Sequence, residues 1–331
     1  MNVEAPLLEV RDLNVSYLNV KVVSDVSFKI FRGKVFALVG ESGCGKTTTA
    51  NAILRILPEI ASVDSKSKII FYKDAHNPYN LLEIDESQFS REIRWREISM
   101  VFQGALNSLN PTIRVKDHFI ETAKAHGVSD KSWVLERARE LLEAVKLDPD
   151  RVLSLYPVEM SGGMKQRTLI ALALILNPKF VILDEPTTAL DVLTQREILF
   201  LLRDLKNRFN LTYMLITHDI ALVADMADII AIMYAGRIVE EAKVEDIFYE
   251  PLHPYTKGLL MTVPKLGEFK EDIASLPGSP PDYRRLPSGC KFHPRCPYAM
   301  DICRREEPKM VDINGRKVLC WLYSEKGEGY E

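Results

Sequence analysis

The feature that most constrains the fold of this chain is an eight-residue stretch, Gly40-Glu41-Ser42-Gly43-Cys44-Gly45-Lys46-Thr47, lying between two differently patterned segments. Before it, Val35-Phe36-Ala37-Leu38-Val39 is wholly apolar, as suits a short strand buried on both faces. After it, a helix is expected to start near Lys46 and to continue through TTTANAILRIL until Pro58 stops it. The spacing is that of a GxxxxGK[ST] phosphate loop. Glycines let successive backbone N–H groups turn inward around phosphate oxygens, the lysine reaches the β and γ phosphates, and the Thr47 hydroxyl holds Mg²⁺. The N-terminus of the following helix adds its dipole to the anion site.

Bulk properties narrow the class further. A chain of 331 residues is long enough for one large α/β domain plus an appendage, and 47% hydrophobic with 27% charged residues is ordinary globular usage. The formal net charge of -3 argues against a protein that neutralises a nucleic-acid backbone, so no nucleic-acid partner is expected. The most apolar run, Thr168 to Leu183, is interrupted by Asn177, Pro178 and Lys179, leaving pieces too short to span a bilayer. The opening residues MNVEAPLLEV lack the basic start and apolar core of a signal peptide, so a cytoplasmic location is expected.

Along the chain, Leu7 to Ile30 alternates apolar and polar positions and is expected to form antiparallel strands. A polar, irregular stretch from Ile69 to Arg91, with Asn77-Pro78 as breakers, precedes a short strand at Ile98–Phe102. Val115 to Val145 is helix-rich, and Gly163 to Leu176 is a further helix. The strand Phe180–Leu183, the helix Thr194–Phe209 and the strand Tyr213–Thr217 then alternate. That alternation implies a parallel sheet covered on both faces, with ligands at the carboxyl ends of its strands. From about Glu250 prolines crowd the sequence, at 251, 254, 264, 277, 280, 281, 287, 294, 297 and 308, which denies long helices and central strands and sets a domain boundary near 250.

Two further constellations carry chemistry. Asp184 and Glu185 follow the apolar run Phe180-Val181-Ile182-Leu183, so Asp184 can enter the Mg²⁺ shell and Glu185 can polarise an attacking water as general base. Taken alone, two acids after a strand are better read as a solvated strand end or a helix cap. Ser161-Gly162-Gly163 at a helix start is an anion site with exposed N–H groups, or alternatively a flexible turn with a serine cap.

The order phosphate loop, Gln103, Ser161-Gly162-Gly163, Asp184-Glu185, Asp191 and His218 resembles the nucleotide-binding subunits of ABC transporters. The resemblance implies an α/β P-loop NTPase of ABC type with an antiparallel β subdomain, a helical subdomain at about 104–160 and a nucleotide-binding domain over 1–250. It also implies ATP hydrolysis coupled to transport, with the loop from Gly40 to Thr47 and Thr48 binding ATP. Tyr17 would stack on adenine, although a plain strand aromatic is an equal reading. Gln103 would couple the γ-phosphate and Mg²⁺ to membrane subunits, with Thr47 and Asp184 completing the Mg²⁺ set. His218 would contact the γ-phosphate, Asp191 would lie at a dimer seam, and Ser161, Gly162 and Gly163 would complete the site of a second subunit.

The segments SGGMKQR, Glu250-Pro251-Leu252-His253-Pro254-Tyr255-Thr256-Lys257-Gly258-Leu259-Leu260 and Leu276-Pro277-Gly278-Ser279-Pro280-Pro281 resemble the branch that powers oligopeptide, dipeptide and nickel importers. That resemblance makes 251–331 a loop-rich C-terminal extension and covers nearly the whole chain. The implied partners are a second ATPase subunit, paralogous or identical, two transmembrane permease subunits and an extracytoplasmic substrate-binding protein. The implied location is peripheral, at the cytoplasmic face of the membrane. Met160 and Gly104-Ala105 depart from the commonest residues of the family. Oligosaccharide or nickel import, a soluble non-transport ABC ATPase, and a binding module with a dead site are the competing readings. Intact Lys46, Asp184, Glu185 and His218 oppose the last of these.

Of five cysteines, Cys44 stands alone as a loop filler, while Cys290, Cys296, Cys303 and Cys320 crowd the tail with five, six and sixteen residues between them. Four thiolates on short loops suit a [4Fe–4S] cluster or structural Zn²⁺. Members of the peptide-importer branch with this tail hold a [4Fe–4S] cluster, so the resemblance implies that cluster, with zinc second and disulfides third. In a loop-rich tail with little apolar core its expected role is to staple the structure, with redox gating as the lesser alternative.

Overall fold

The computed structural model describes residues 5–74, 78–104, 108–262 and 276–324. Four features of the sequence reading, at the chain start, Asn77, Ala105 and Pro264, lie outside these residues.

The strands in chain order are β1 (Pro6–Tyr17), β2 (Val20–Phe31), β3 (Val35–Val39), β4 (Ala61–Val63), β5 (Lys68–Tyr72), β6 (Pro78–Asn80) and β7 (Ile98–Val101). They continue as β8 (Phe180–Asp184), β9 (Thr212–Thr217), β10 (Ile229–Tyr234), β11 (Arg237–Lys243), β12 (Val311–Ile313) and β13 (Arg316–Val318). The chain divides into two compact units.

The first unit comprises residues 1–7, 31–34 and 71–215. Its strands follow the order β9-β8-β7, with β7 and β8 parallel from Ile98↔Phe180 to Val101↔Leu183. Every residue of β7 and β8 is buried, which is why these runs are apolar throughout rather than alternating. Helices Val115–Ala125, Lys131–Ala144 and Pro149–Ser154 form its helical part. The helix-rich stretch 115–145 is two helices because Asp130 caps the second, accepting from the Ser132 and Trp133 N–H groups. Helix Gly162–Ala173 begins under the Ser161 cap and helix Val192–Phe209 under the Asp191 cap. The latter ends at Asn210, whose left-handed φ of 51° suits that residue.

The second unit comprises residues 8–30, 35–70 and 216–331. β1 and β2, the two strands expected over Leu7–Ile30, lie side by side with β1 next to β5, and β4 pairs antiparallel with β1 through Tyr17↔Ala61. A second set of strands runs β12-β13-β11-β10-β3, with β10 parallel to β3 and the remainder antiparallel. Phe28 and Phe36 stack between these layers with ring centroids 4.7 Å apart. Helix Lys46–Leu54 stops three residues earlier than Pro58 alone suggests. Arg55 turns left-handed at φ 55°, and the Arg55 and Ile56 N–H groups bond the Ala52 and Asn51 carbonyls. The helix is therefore closed by its own terminal hydrogen bonds before the proline is reached.

The proline-rich tail is more regular than its composition suggests. Helix Pro254–Met261 is anchored by Glu240, a fully buried carboxylate that accepts from Leu252 N–H at 2.7 Å and His253 N–H at 2.8 Å. His253 then caps that helix through Nδ1, which accepts from Tyr255 N–H at 3.0 Å. Further on, the hairpin of β12 and β13 adds to the edge of β11 at Glu240↔Val318 and Glu241↔Lys317.

Candidate functional site

The phosphate loop is built from the second unit. Gly40 must be glycine because a Cβ there would sit 2.1 Å from the Met233 carbonyl oxygen and 2.9 Å from Cys44 Sγ. Gly45 occupies φ 108° and caps helix Lys46–Leu54 without a side-chain bond, so the first-turn N–H groups of that helix are presented by bare backbone. Lys46 is buried, and its Nζ donates back to the carbonyls of Gly40 at 2.7 Å and Glu41 at 3.0 Å. Cys44 lies beneath the loop as a buried thiol. Burial raises its pKa against the opposing influence of Lys46, so it fills space as a neutral group. Ser42 and Gly43 are exposed, while Thr47 and Thr48 lie in the first helical turn, half-buried. Tyr17 ends β1 with its hydroxyl 3.4 Å from Thr48 Oγ1, which brings the aromatic expected to stack on adenine beside the loop. His218 sits exposed in the bend just after β9.

Two contacts to the loop were not anticipated from the sequence. Glu41 N–H donates to the Tyr255 hydroxyl at 3.0 Å, and its carboxylate takes two bonds from the Arg295 guanidinium, at 2.7 and 3.0 Å. Both partners lie in the tail. No spacing rule could have found them, since neither is close to the loop in sequence.

The acidic residues are built from the first unit. Asp184 is the buried last residue of β8, and Glu185 follows with a left-handed φ of 48°. Such a φ for a non-glycine residue is costly and turns its side chain sharply off the strand. Glu185 Oε2 accepts from Gln103 Nε2 at 3.0 Å and from Thr188 Oγ1 at 2.9 Å, so two sequence-predicted residues meet here. Ser161 Oγ accepts from Met164 N–H at 3.3 Å, and the N-terminal turn of its helix is exposed or half-buried. Asp191 accepts from Thr194 N–H at 3.0 Å and Thr194 Oγ1 at 2.6 Å. These bonds from Thr194 hold its pKa below the usual carboxylate value. Gly163 packs against Thr194, where a Cβ would come within 3.2 Å of Thr194 Cγ2.

In the first unit Gln103 and Asp184 offer an amide and a carboxylate oxygen, and in the second Thr47 offers a hydroxyl. Each is a hard oxygen donor of the kind that Mg²⁺ takes.

The tail cysteines correct the sequence reading. Among the described residues, no group of three or more His, Cys, Asp or Glu side chains is placed to hold a metal ion, so the iron–sulfur cluster and the zinc alternative are not supported. The disulfide reading fails as well, because all five cysteines are free thiols. Burial pushes the Cys290 thiol up to about 11 and the Cys320 thiol up to about 12, and it raises Cys296. The tail is held by other means. Cys290 N–H bonds the Cys303 carbonyl at 2.8 Å, Trp321 Nε1 bonds the Glu306 carbonyl at 2.9 Å, and Arg237 and Lys291 both pair with Glu307.

A glycine loop closing on a helix N-terminus in one unit, and a parallel strand ending in two acids in the other, define a P-loop nucleotidase. Residues 23–188 match the family model for ABC transporters, and residues 239–303 match that for the oligopeptide/dipeptide transporter C-terminal region. The chain is 44% identical to the dipeptide transport ATP-binding protein DppD of Caldanaerobacter subterraneus, over 96% of this chain and 98% of the relative. It is 40% identical to the oligopeptide transport ATP-binding protein OppD of Salmonella typhimurium, over 95% and 93% respectively. The solved dimeric structure of a bacterial ABC transporter cassette, MJ0796, superposes with a TM-score of 0.60 at 25% identity, covering 72% of this chain and 98% of that one. This chain belongs to the ABC transporter family as an ATP-binding subunit, an ATPase coupled to transport.

Proposed function

We propose that this chain powers an importer of di- and oligopeptides, working in a pair with a second ATPase subunit beneath two transmembrane permeases. One observation carries the reading: the phosphate-loop cassette and a C-terminal region of the oligopeptide/dipeptide transporter type occur in a single chain. The full-length likeness to dipeptide and oligopeptide transport proteins supports it. Among the described residues no helix is long and apolar enough to cross a membrane, which fits attachment through permease partners at the cytoplasmic face. Residues 1–250 serve as the nucleotide-binding domain, about 104–160 as its helical subdomain and 251–331 as its extension. A separate extracytoplasmic binding protein selects the substrate.

In this reading the backbone of the loop from Gly40 to Thr48 and the Lys46 ammonium hold the ATP phosphates, and Tyr17 stacks on adenine. Thr47, Gln103 and Asp184 hold Mg²⁺, which when bound neutralises charge on the β and γ phosphates. Glu185 orients the attacking water and accepts its proton, with Gln103 and Thr188 fixing the carboxylate. His218 contacts the γ-phosphate. Ser161, Gly162 and Gly163 present helix N–H groups to the ATP held by the partner subunit, and Asp191 stands at the seam. Gln103 relays occupancy to the permeases.

The test is ATP turnover by the complex purified with its permeases and binding protein in liposomes. Stimulation by di- or oligopeptides bears out the reading. Stimulation by oligosaccharides or nickel moves the substrate class, and turnover that neither copurifies with nor responds to membrane subunits favours a soluble ATPase.

A further inference from the structure

We propose that Arg295, in the C-terminal extension, is a positioning residue for the phosphate loop and acts through Glu41. The proposal rests on the ATP-binding reading of that loop.

Arg295 is nearly inaccessible, its side chain 5% exposed, and the guanidinium is oriented on every side. Nη1 and Nη2 each donate to one oxygen of the Glu41 carboxylate, Nε donates to the Pro277 carbonyl at 2.8 Å, and Nη1 lies 3.5 Å from the Tyr234 hydroxyl. The charge also lies over the Tyr234 and Phe292 rings, 5.7 and 6.0 Å from their centroids. Gly278, whose φ of 74° favours glycine, lies against the aliphatic stem, where even a Cβ would stand at ordinary contact distance, 3.4 Å from Arg295 Cγ. The planar fork matches a carboxylate with two parallel bonds, so this contact sets direction as well as distance.

Glu41 is the second residue of the loop and is held at three points. Its carboxylate is held by Arg295, its N–H by the Tyr255 hydroxyl, and its carbonyl by Lys46 Nζ and Cys44 N–H. The loop that follows is intrinsically soft, with Gly43 at φ 79° and Gly45 at φ 108°. Anchoring its start shortens the span that must be ordered when phosphate binds, and a loop ordered beforehand binds more tightly. The pair also neutralises a carboxylate that would otherwise face a polyphosphate. Tyr255, Tyr234 and Phe292 pack ring against ring, with centroids 4.6 to 5.4 Å apart, and fix the two tail contacts relative to each other.

The experiment compares Arg295→Met, Arg295→Lys, Glu41→Gln and the Glu41→Gln/Arg295→Met double variant in the full chain. Three readouts are taken: equilibrium binding of a fluorescent ATP analogue, KM and kcat of the transporter complex, and hydrogen exchange of residues 40–48 without nucleotide. Arg295→Met strands a charge, so the Kd and KM for ATP rise about tenfold with a much smaller change in kcat, and exchange in 40–48 quickens. Arg295→Lys, which keeps the charge and loses the fork, falls between. The double variant binds no worse than Arg295→Met, because both changes break one contact. Unchanged affinity and exchange in well-folded Arg295→Met would overturn the proposal, as would additive losses in the double variant. If Arg295→Met does not fold, Arg295→Lys decides on the same readouts. A wild-type chain that binds no ATP would sink the functional reading instead, whereas the exchange result still reports on the anchor.

Discussion

Gln103 Nε2 donates to Glu185 Oε2 at 3.0 Å, joining two side chains 82 positions apart, and Thr188 Oγ1 donates to the same oxygen at 2.9 Å. The carboxylate is thereby aimed by two donors while its backbone sits at a left-handed φ of 48°. A group held this firmly is suited to orient water rather than merely to face solvent. Glu185→Gln should lower kcat by about a hundredfold or more while ATP still binds, leaving an ATP-dependent dimer visible by size-exclusion chromatography. Turnover at the wild-type rate would remove Glu185 from the mechanism.

Two glycines of the phosphate loop should tolerate change differently. Gly40→Ala places a methyl 2.1 Å from a backbone oxygen that cannot move without disturbing β10, so we expect a loss of about 3 kcal/mol or more in denaturant unfolding. Gly43→Ala meets nothing within 4 Å and costs only its φ of 79°, roughly 1–2 kcal/mol. Equal destabilisation by the two would contradict the packing described for Gly40.

Ser161→Ala removes a helix cap and should cost about 1 kcal/mol of stability. If the Ser161 turn also serves the nucleotide of a partner subunit, ATP turnover of the complex should fall far more than that stability loss explains. Pairing the variant with a wild-type subunit should then spare one of the two sites. A loss of turnover no greater than the change in folded fraction would assign Ser161 a capping role alone.

His253 links stability to acid. Burial depresses its pKa to about 3 from an unfolded value near 6.5, and its Nδ1 is committed as an acceptor to Tyr255 N–H. The folded state therefore binds fewer protons than the unfolded one between those values. The contribution of the neutral ring is intact above about pH 6.5 and is lost as pH falls towards 3, at up to about 1.4 kcal/mol per pH unit. His253→Asn, which keeps an acceptor at the cap but cannot take a proton, should flatten the pH dependence of Tm in this window. An unchanged slope would mean that other groups govern it.

Legibility in the sequence followed the range of the interactions. The strand, loop and helix around Gly40–Thr47, the strand ending at Asp184 and the serine cap at Ser161 depend on neighbours within a few positions, and all appear where the residue pattern places them, whereas the Asp191 cap starts its helix two residues before the expected Thr194. The early stop of helix Lys46–Leu54 was hidden because Arg55 adopts a conformation that its side chain does not advertise. The cysteine tail misled because spacing along a chain shows only that thiols could converge. Whether they do depends on where the surrounding loops direct them and on how deeply each is buried.

By itself, then, the sequence determined the phosphate-loop motif, the strand ending in acids and the alternation of strands and helices, because glycine, lysine, acid and apolar periodicity act locally. Only the tertiary structure decided how the tail is used. Arg295 reaches Glu41 across 254 positions, Glu240 seats the helix that carries Tyr255, and the β12 and β13 hairpin adds to β11. Each of these is a hydrogen-bonded pairing between distant segments. Such a pairing forms only when the intervening chain has folded, and the residue types alone leave the choice of partner open.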